Sequence, residues 1–165
     1  MRHFCFLLSF AIILAAGCGT LSQTPEQKQE ERERVALLVQ QKLDAMQYVI
    51  DVNYMIPIRG GARSLTSDYF IAVDGSRINS HLPYFGVAYT AVYGGGKVLT
   101  FEDEILDYYD SGFRNDSRKV MLKTYNGEDT IIYTMTIFDN GTATINVQCR
   151  NREEINYRGV LNVDK

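Results

Sequence analysis

The chain has 165 residues, 17 of them basic and 20 acidic, and its formal net charge is −3. This length suits one domain with one core, and the acidic balance argues against a nucleic-acid partner. Three cysteines and two histidines leave little material for a disulfide framework or a metal site.

The first 17 residues have the pattern of a secretory signal peptide: Arg2 near the start, an apolar run, and small residues at the end. The apolar run is too short to span a bilayer comfortably. Leu14-Ala15-Ala16-Gly17-Cys18 resembles the lipobox of bacterial lipoproteins, in which cleavage exposes a cysteine that is then acylated, for example with palmitate. Ordinary cleavage or a retained segment is the alternative.

These features predict a signal peptide over 1–17, a lipid-attachment site and tether over 18–24, and one domain over 25–165. We expect the protein to be anchored by Cys18 in a membrane of the cell envelope, the outer membrane included, and to face the periplasm. Cys5 then leaves with the signal peptide, so Cys149 has no disulfide partner. His81 is the only remaining histidine, and we expect neither a metal nor a cofactor.

A helix is predicted to begin at Thr24-Pro25, a hydroxyl side chain followed by proline at the first helical position. Residues 27–34 are almost all polar and suit a solvated stalk. The second half of the helix is predicted to pack on a sheet, because it has apolar side chains on one face: Val35, Leu38, Val39, Leu43 and Met46.

Alternating strands follow the helix. The first strand is predicted to turn Tyr48, Ile50, Val52, Tyr54 and Ile56 to one face and to end at Pro57. A hairpin is predicted from Ser67–Val73, a turn at Asp74-Gly75, and Arg77–His81. Strands are also expected over 87–93 and 97–101, whereas Glu102–Asp110 is predicted to form a short helical turn and Gly112–Ser117 a loop.

The last third predicts an antiparallel meander of four strands, Arg118–Tyr125, Ile131–Phe138, Thr142–Cys149 and Glu154–Leu161. Asn126-Gly127 and Asp139-Asn140-Gly141 are typical turn sequences between them. The predicted inner face is formed by Ile131, Tyr133, Met135, Ile137, Ala143, Ile145, Val147, Cys149, Ile155, Tyr157 and Leu161. The fold class is therefore α+β: one N-terminal helix packed on a curved antiparallel sheet of about seven or eight strands.

Leu82-Pro83-Tyr84-Phe85-Gly86-Val87-Ala88-Tyr89 is the most distinctive peptide in the chain. Pro83 and Gly86 suit a sheet edge or corner, so the aromatics between them either plug the core or form a recognition surface. The candidate binding residues are Tyr84, Phe85, Tyr89 and Tyr93. Because neighbouring residues of an extended segment point to opposite sides, we expect Phe85 to be buried and Tyr84 to lie at the rim.

Signals for catalysis are weak, and no catalytic residue can be assigned. Gly95-Gly96-Lys97 lacks the hydroxyl residue of a phosphate loop, because Val98 follows the lysine. The acidic run from Glu102 to Asp110 does not match the spacing of a calcium loop. Cys149, in phase with apolar neighbours, is predicted to be a small buried residue, and His81 a surface or hydrogen-bonded one.

Several short motifs are typical of one family: Leu82-Pro83-Tyr84-Phe85-Gly86, Leu99-Thr100-Phe101, Asn140-Gly141-Thr142-Ala143 and Ile155-Asn156-Tyr157-Arg158-Gly159. From about Gln47 to its end the chain resembles the domain-of-unknown-function 4251 family, small lipoproteins of Gram-negative Bacteroidota. The resemblance implies a lipoprotein and carries over no catalytic residues, because the family has no assigned activity.

The leading functional hypothesis is a non-enzymatic, lipid-anchored envelope protein that binds a protein or a small ligand through Leu82 to Tyr93. One alternative is a hydrolase of envelope glycans that uses acidic residues such as Asp103 and Asp107, which would have to lie roughly 5 to 10 Å apart. The other alternative is a structural assembly factor.

Overall fold

The computed structural model describes residues 24–87 and 99–164. The predicted signal peptide, Cys18, Tyr89, Tyr93 and the glycine-rich turn at 94–97 lie outside these residues. The chain divides into two units between Glu31 and Arg32, and in the first unit the structure describes the beginning of the N-terminal helix.

The helix α1 covers Pro25–Asp44, and its predicted start is confirmed. Thr24 Oγ1 accepts a hydrogen bond from the Gln27 amide at 3.3 Å, and the Thr24 amide donates to Gln27 Oε1 at 2.9 Å, which is a reciprocal capping box. Val39 and Leu43 are fully buried in the core, as the prediction for the second half of the helix requires. Met46 lies beyond the helix in a left-handed conformation with φ of 52°.

Eight antiparallel strands follow: β1 Gln47–Pro57, β2 Arg63–Asp74, β3 Arg77–His81, β4 Thr100–Arg114, β5 Ser117–Tyr125, β6 Thr130–Phe138, β7 Thr142–Cys149 and β8 Arg152–Leu161. Each strand pairs with the next, and β1 also pairs with β8, so the sheet closes into a barrel. The predicted curved sheet is thus more specifically a closed barrel.

The barrel interior is filled by side chains from alternating positions. The four-strand meander β5 to β8 is confirmed, and its predicted inward residues are buried apart from Cys149. Cys149 lies beyond a register shift at the end of β7 and is half-buried, so its predicted full burial is wrong. Three of the largest buried side chains are the tyrosines Tyr48, Tyr133 and Tyr157.

A β-bulge in β1 changes which residues face the core. The register shifts between Val52 and Tyr54 against both neighbouring strands, which moves the inward phase from even to odd positions. Met55 and Pro57 are therefore buried, while Tyr54 and Ile56 are only partly buried. The predicted inward orientation of those last two residues is wrong.

Strand β4 replaces the predicted helical turn and loop. It runs for 15 residues, pairing first with β3 and then with β5, and it has two register shifts, one near Leu106 and one around Ser111-Gly112. These two bulges interrupt the two-residue alternation, and for that reason the sequence pattern does not look like a strand. Gly112, with φ of 65°, supplies the second bulge with a conformation that suits glycine.

The two ends of the barrel are closed differently. At one end, here called the helix end, Val39 of α1 packs against the turn between β6 and β7 and the end of β8. At the other, the Pro83 end, residues 82–87 leave β3 and cross to the start of β8, where they form the hydrogen bonds described below. The predicted recognition segment therefore lies across an end of the barrel.

Candidate binding site at the Pro83 end

The segment Leu82–Val87, here called the crossing segment, is held at both ends by the barrel. Leu82 is buried, and its amide donates to the Leu99 carbonyl at 3.0 Å. The Tyr157 hydroxyl, which rises from the core, donates to the Pro83 carbonyl at 2.6 Å. Because Pro83 also restricts its own φ and the conformation of Leu82, the segment begins in a fixed geometry.

Tyr84 is the inner aromatic of the crossing segment. Its hydroxyl donates to the Glu153 carbonyl, with an oxygen–oxygen distance of 2.9 Å, and lies 3.3 Å from the Val87 carbonyl. The Arg152 guanidinium lies 5.6 Å from the centre of its ring, within the range of a cation–π contact. A β-carbon on Gly86 would collide with this phenol, so the glycine provides the space that Tyr84 occupies.

Phe85 is the outer aromatic. Its side chain is 55% exposed, and the Arg63 guanidinium lies 5.6 Å from the centre of its ring. The predicted orientation, with Phe85 buried and Tyr84 at the rim, is therefore wrong. The physical reason is that the Tyr84 hydroxyl reaches backbone carbonyls at the barrel end, whereas a Phe side chain in that place would leave those carbonyls without this donor.

Glu153 is the residue that ties the crossing segment to β8. Its side chain is only 8% exposed, its amide donates to the Val87 carbonyl at 3.1 Å, and its carboxylate accepts from the Val87 amide at 3.3 Å. Arg59 lies 3.4 Å from the same carboxylate and supplies a compensating positive charge. The predicted strand begins at Glu154, so the sequence prediction left Glu153 outside it and missed this role, although Glu153 falls in the inward phase of Ile155 and Tyr157.

Beneath the crossing segment the polar groups of the core are paired with one another. The Tyr133 hydroxyl donates to Ser80 Oγ at 2.9 Å, and Ser80 Oγ donates to the Leu99 carbonyl at 2.9 Å. Burial raises the pKa of Tyr133 and of Tyr157 well above the ordinary value. These hydroxyls are therefore neutral structural donors and are poorly suited to act as acids or bases near neutral pH.

The two remaining candidate side chains for metal or nucleophilic chemistry do not converge. The His81 ring stacks on Tyr69 with a centroid distance of 5.4 Å and lies beside Phe70. Burial, together with the negative charge of Asp129, raises the pKa of the Cys149 thiol to about 12, although the Arg152 charge opposes this. Among the described residues no three His, Cys, Asp or Glu side chains are grouped so that they could hold a metal ion.

The acid pair proposed for a hydrolase is separated by the register of β4. Asp103 pairs with the buried Ile78 and shares its inward phase, whereas Asp107 pairs with Lys123 on the outward face. The two residues are also four positions apart on β4, so their Cα atoms are separated by about 13 Å. The two carboxylates thus cannot flank one substrate bond, and this pairing is wrong.

A buried ion-pair cluster lies at the helix end. Arg118 is 7% exposed, its guanidinium binds both oxygens of Asp110, and it also donates to Asp44 at the end of α1 at 2.5 Å. Phe113 lies beneath it with a ring-centre distance of 5.7 Å. The sequence prediction missed this cluster. Arg118 is in phase with the inward-facing Val120 and Leu122, and this pattern indicates a buried charge that needs a partner.

Hydrogen bonding determines the ionisation state of this cluster. Burial alone would raise the pKa of Asp110, but hydrogen bonds from Arg118 and the Gly112 amide outweigh it and hold that pKa below its ordinary value. The same contact with Asp110 raises the pKa of Arg118. The arrangement is a structural clamp between the helix and β4–β5, because each charge is already satisfied by a protein partner.

The comparisons with known proteins place this fold in a family. The family described as "Domain of unknown function (DUF4251)" matches residues 26–161, so the chain belongs to it. A crystal structure of a DUF4251 family protein from Bacteroides eggerthii is similar, with 19% sequence identity and a TM-score of 0.59. That likeness covers 79% of this chain and 87% of the other, and at this identity it concerns the fold alone. No curated protein matches.

One further finding concerns membranes. In the part of the chain that the structure describes, no helix is both long and apolar enough to cross a bilayer.

Proposed function

We propose that this protein is a non-catalytic binding module and that the Pro83 end of the barrel is its binding surface. The observation that carries the proposal is the contrast between the two adjacent aromatics. Tyr84 holds the crossing segment down by hydrogen bonds to the barrel, and Phe85 presents more than half of its surface to solvent. An aromatic side chain exposed on a fixed backbone is a typical anchor for a partner, since little conformational freedom is lost on binding.

The neighbours of Phe85 favour a protein as the partner. Ile58 and Val87 are also exposed on the segments that meet at this end, and Arg59 and Arg63 border them. Interfaces between proteins are enriched in aromatic residues and arginine at their centres. A protruding ring suits a pocket on a partner protein better than it suits enclosure of a small ligand.

Site-specific photo-crosslinking in the native host tests this assignment. A photoreactive phenylalanine analogue at position 85 is compared with the same analogue at Tyr109, which is 54% exposed on the side of the barrel and is a closely matched control. We expect a discrete protein adduct from position 85 and none from position 109. Equal adduct patterns from both positions, or no adduct from position 85, would contradict the proposal.

We further propose that the module is attached to a membrane of the cell envelope through lipid on Cys18 and faces the periplasm. The support is the order of the sequence: a basic start, an apolar run, and Gly17-Cys18. Several acyl chains anchor a protein durably, whereas one chain does so weakly. Cys18→Ser should abolish fatty-acid labelling and release the protein from membranes, and unchanged labelling would refute the anchor.

A further inference from the structure

The charges on the outer wall of the barrel are unevenly distributed. Strands β5, β6 and β7 contain no aspartate or glutamate. The opposite wall, from β2 to β4, carries exposed acids that include Asp68, Glu102, Glu104 and Asp107. A chain with a net charge of −3 therefore has three neighbouring strands without a carboxylate, and the next strand, β8, has one exposed outward acid, Glu154.

Two transverse rows of side chains cross that wall. In the first row the register places Lys119, Thr136, Thr144 and Arg158 side by side on β5 to β8. The second row, one pleat away, has a polar centre of Thr134, Asn146 and Asn156. It ends at Ile56 of β1 on one side and at the exposed Met121 and Tyr109 on the other. Neighbouring strands lie about 4.8 Å apart, so the cations at the two ends of the first row are about 14 Å apart at the backbone.

The two rows line an open groove with a volume of about 370 Å³. Of its outward-facing side chains only Ile56 is apolar. Asn146 Nδ2 donates to Asn156 Oδ1 at 2.9 Å, a bond that orients both amides. It leaves the side-chain oxygen of Asn146, the second hydrogen of the Asn146 amide and both hydrogens of the Asn156 amide to interact with solvent or a ligand.

We infer that this groove binds an acidic polysaccharide. Lys119 and Arg158 contact its anionic groups, and the Thr and Asn side chains form hydrogen bonds with its hydroxyls. Thr hydroxyls and Asn amides both donate and accept hydrogen bonds, as sugar hydroxyls do. The two cations suit carboxylate, sulfate or phosphate groups, and in the described part of the chain neither forms an ion pair with a carboxylate. Within the groove lining itself only Ile56 is an outward-facing apolar side chain, which is less than the centre of a protein interface usually contains.

The shape of the groove favours a polymer over a small molecule. It is open to solvent and is lined by residues of five neighbouring strands, so it can contact one face of an extended chain but cannot surround a single sugar. The acidic wall formed by β2 to β4 would repel the same polyanion. Binding is therefore directed to one outer wall of the barrel and not to the crossing segment.

Binding of polygalacturonate to the full chain, measured by isothermal titration calorimetry, tests this inference, with neutral dextran and monomeric galacturonate as comparison ligands. The double variant Lys119→Gln with Arg158→Gln removes both cations, and Lys28→Gln with Arg32→Gln removes two exposed cations of α1. A third variant, Thr136→Val with Thr144→Val, removes two hydroxyls without changing the charge or the β-branched shape.

We expect polygalacturonate binding that weakens with added salt and falls about fivefold in the Lys119 and Arg158 variant, as two exposed ion pairs would predict. The threonine variant should also bind more weakly, and the control variant should bind as the parent does, all with unchanged melting temperatures. Four results would overturn the inference: no binding of polygalacturonate, equal affinity for dextran, equal affinity for monomeric galacturonate, or an equal loss in the control variant.

Discussion

Replacing Arg118 with methionine tests how the barrel is closed at the helix end. The guanidinium is buried between Asp110 and Asp44, and its removal leaves the Asp110 carboxylate without its main partner. Methionine retains much of the apolar volume of the arginine stem, so the change removes chiefly the charge and its hydrogen bonds. The comparison variant is Asp44→Asn, which removes the more exposed of the two carboxylates.

The burial of each side chain sets the expected magnitudes. Breaking a buried ion pair by removing one partner costs about 3–5 kcal/mol, and the Asp110 side chain is 20% exposed, so we expect about 3 kcal/mol for Arg118→Met. The Asp44 side chain is 56% exposed, and Asp44→Asn should cost at most about 1 kcal/mol. The double variant Arg118→Met with Asp110→Asn should be more stable than Arg118→Met alone, because the mostly buried position 110 is then neutral and the remaining Asp44 carboxylate is 56% exposed.

The pH dependence of stability follows from the lowered pKa of Asp110. The pKa of Asp110 in the folded protein lies below its value in the unfolded chain, which is near 3.8. The contribution of Asp110 to stability is therefore complete above about pH 3.8 and is lost as the pH falls through the folded pKa. Urea unfolding between neutral pH and about pH 3 should therefore show a smaller acid-induced loss of stability for Asp110→Asn than for the parent. A cost below about 0.5 kcal/mol for Arg118→Met, or identical acid sensitivity in Asp110→Asn, would refute this account.

Three further predictions concern the Pro83 end. Tyr84→Ala should lower the free energy of unfolding by about 2–3 kcal/mol, because it removes a packed ring and its hydrogen bond to the Glu153 carbonyl. Phe85→Ala should lower it by less than about 1 kcal/mol. Urea unfolding that gives the reverse order would contradict the structure. Asp129 is 5% exposed and its Oδ1 has no hydrogen-bond partner among the described residues, so Asp129→Asn should leave the melting temperature unchanged or higher. Asp129→Ala should lower it by several degrees, since the Asn151 amide loses its acceptor, and equal losses in both variants would count against this assignment. The last prediction uses a variant whose other cysteines are replaced by serine. Because the pKa of the Cys149 thiol is about 12, this thiol should react with iodoacetamide at pH 8 only after unfolding. Rapid labelling of the folded protein would contradict that pKa.

The meander from β5 to β8 could be predicted because its strands alternate regularly up to a register shift at the end of β7. The turns before and after β6 also contain Asn-Gly sequences with the required conformation. Gly127 and Gly141 both have positive φ, at 84° and 83°. Closure of the barrel could not be predicted in the same way. It depends on pairing between β1 and β8, for example Ile50 with Leu161, and residues so distant in sequence leave no local signal.

The errors in the predicted strands have one physical cause. A β-bulge shifts the inward phase by one residue, so a pattern read with a fixed period of two assigns the wrong face beyond it. This happened in β1 after Asn53, and in β4 the two bulges hid the strand beyond Phe101. The reversed orientation of Tyr84 and Phe85 has a related origin, because the crossing segment is not a strand and its side chains are placed by hydrogen bonds to β8.

The candidate site was predicted in part. The segment from Leu82 to Val87 could be singled out from its proline, glycine and aromatic residues, but the residues that hold or border it, Arg63, Arg152 and Glu153, come from distant strands. Charged residues in the inward phase of an alternating strand were a usable signal for Glu153 and Arg118. Both proved to be paired with residues that only the closed barrel brings near them.

The most direct test of the binding surface is the affinity of the partner identified by crosslinking for three versions of the protein. The parent is compared with Phe85→Ala and with Tyr109→Ala, two substitutions of almost equally exposed aromatics. If Phe85 is the anchor, Phe85→Ala should weaken binding by at least about 2 kcal/mol, about thirtyfold, while both variants keep the parent melting temperature within a few degrees. Unchanged affinity in Phe85→Ala, or an equal loss in Tyr109→Ala, would contradict the assignment of the Pro83 end as the binding surface.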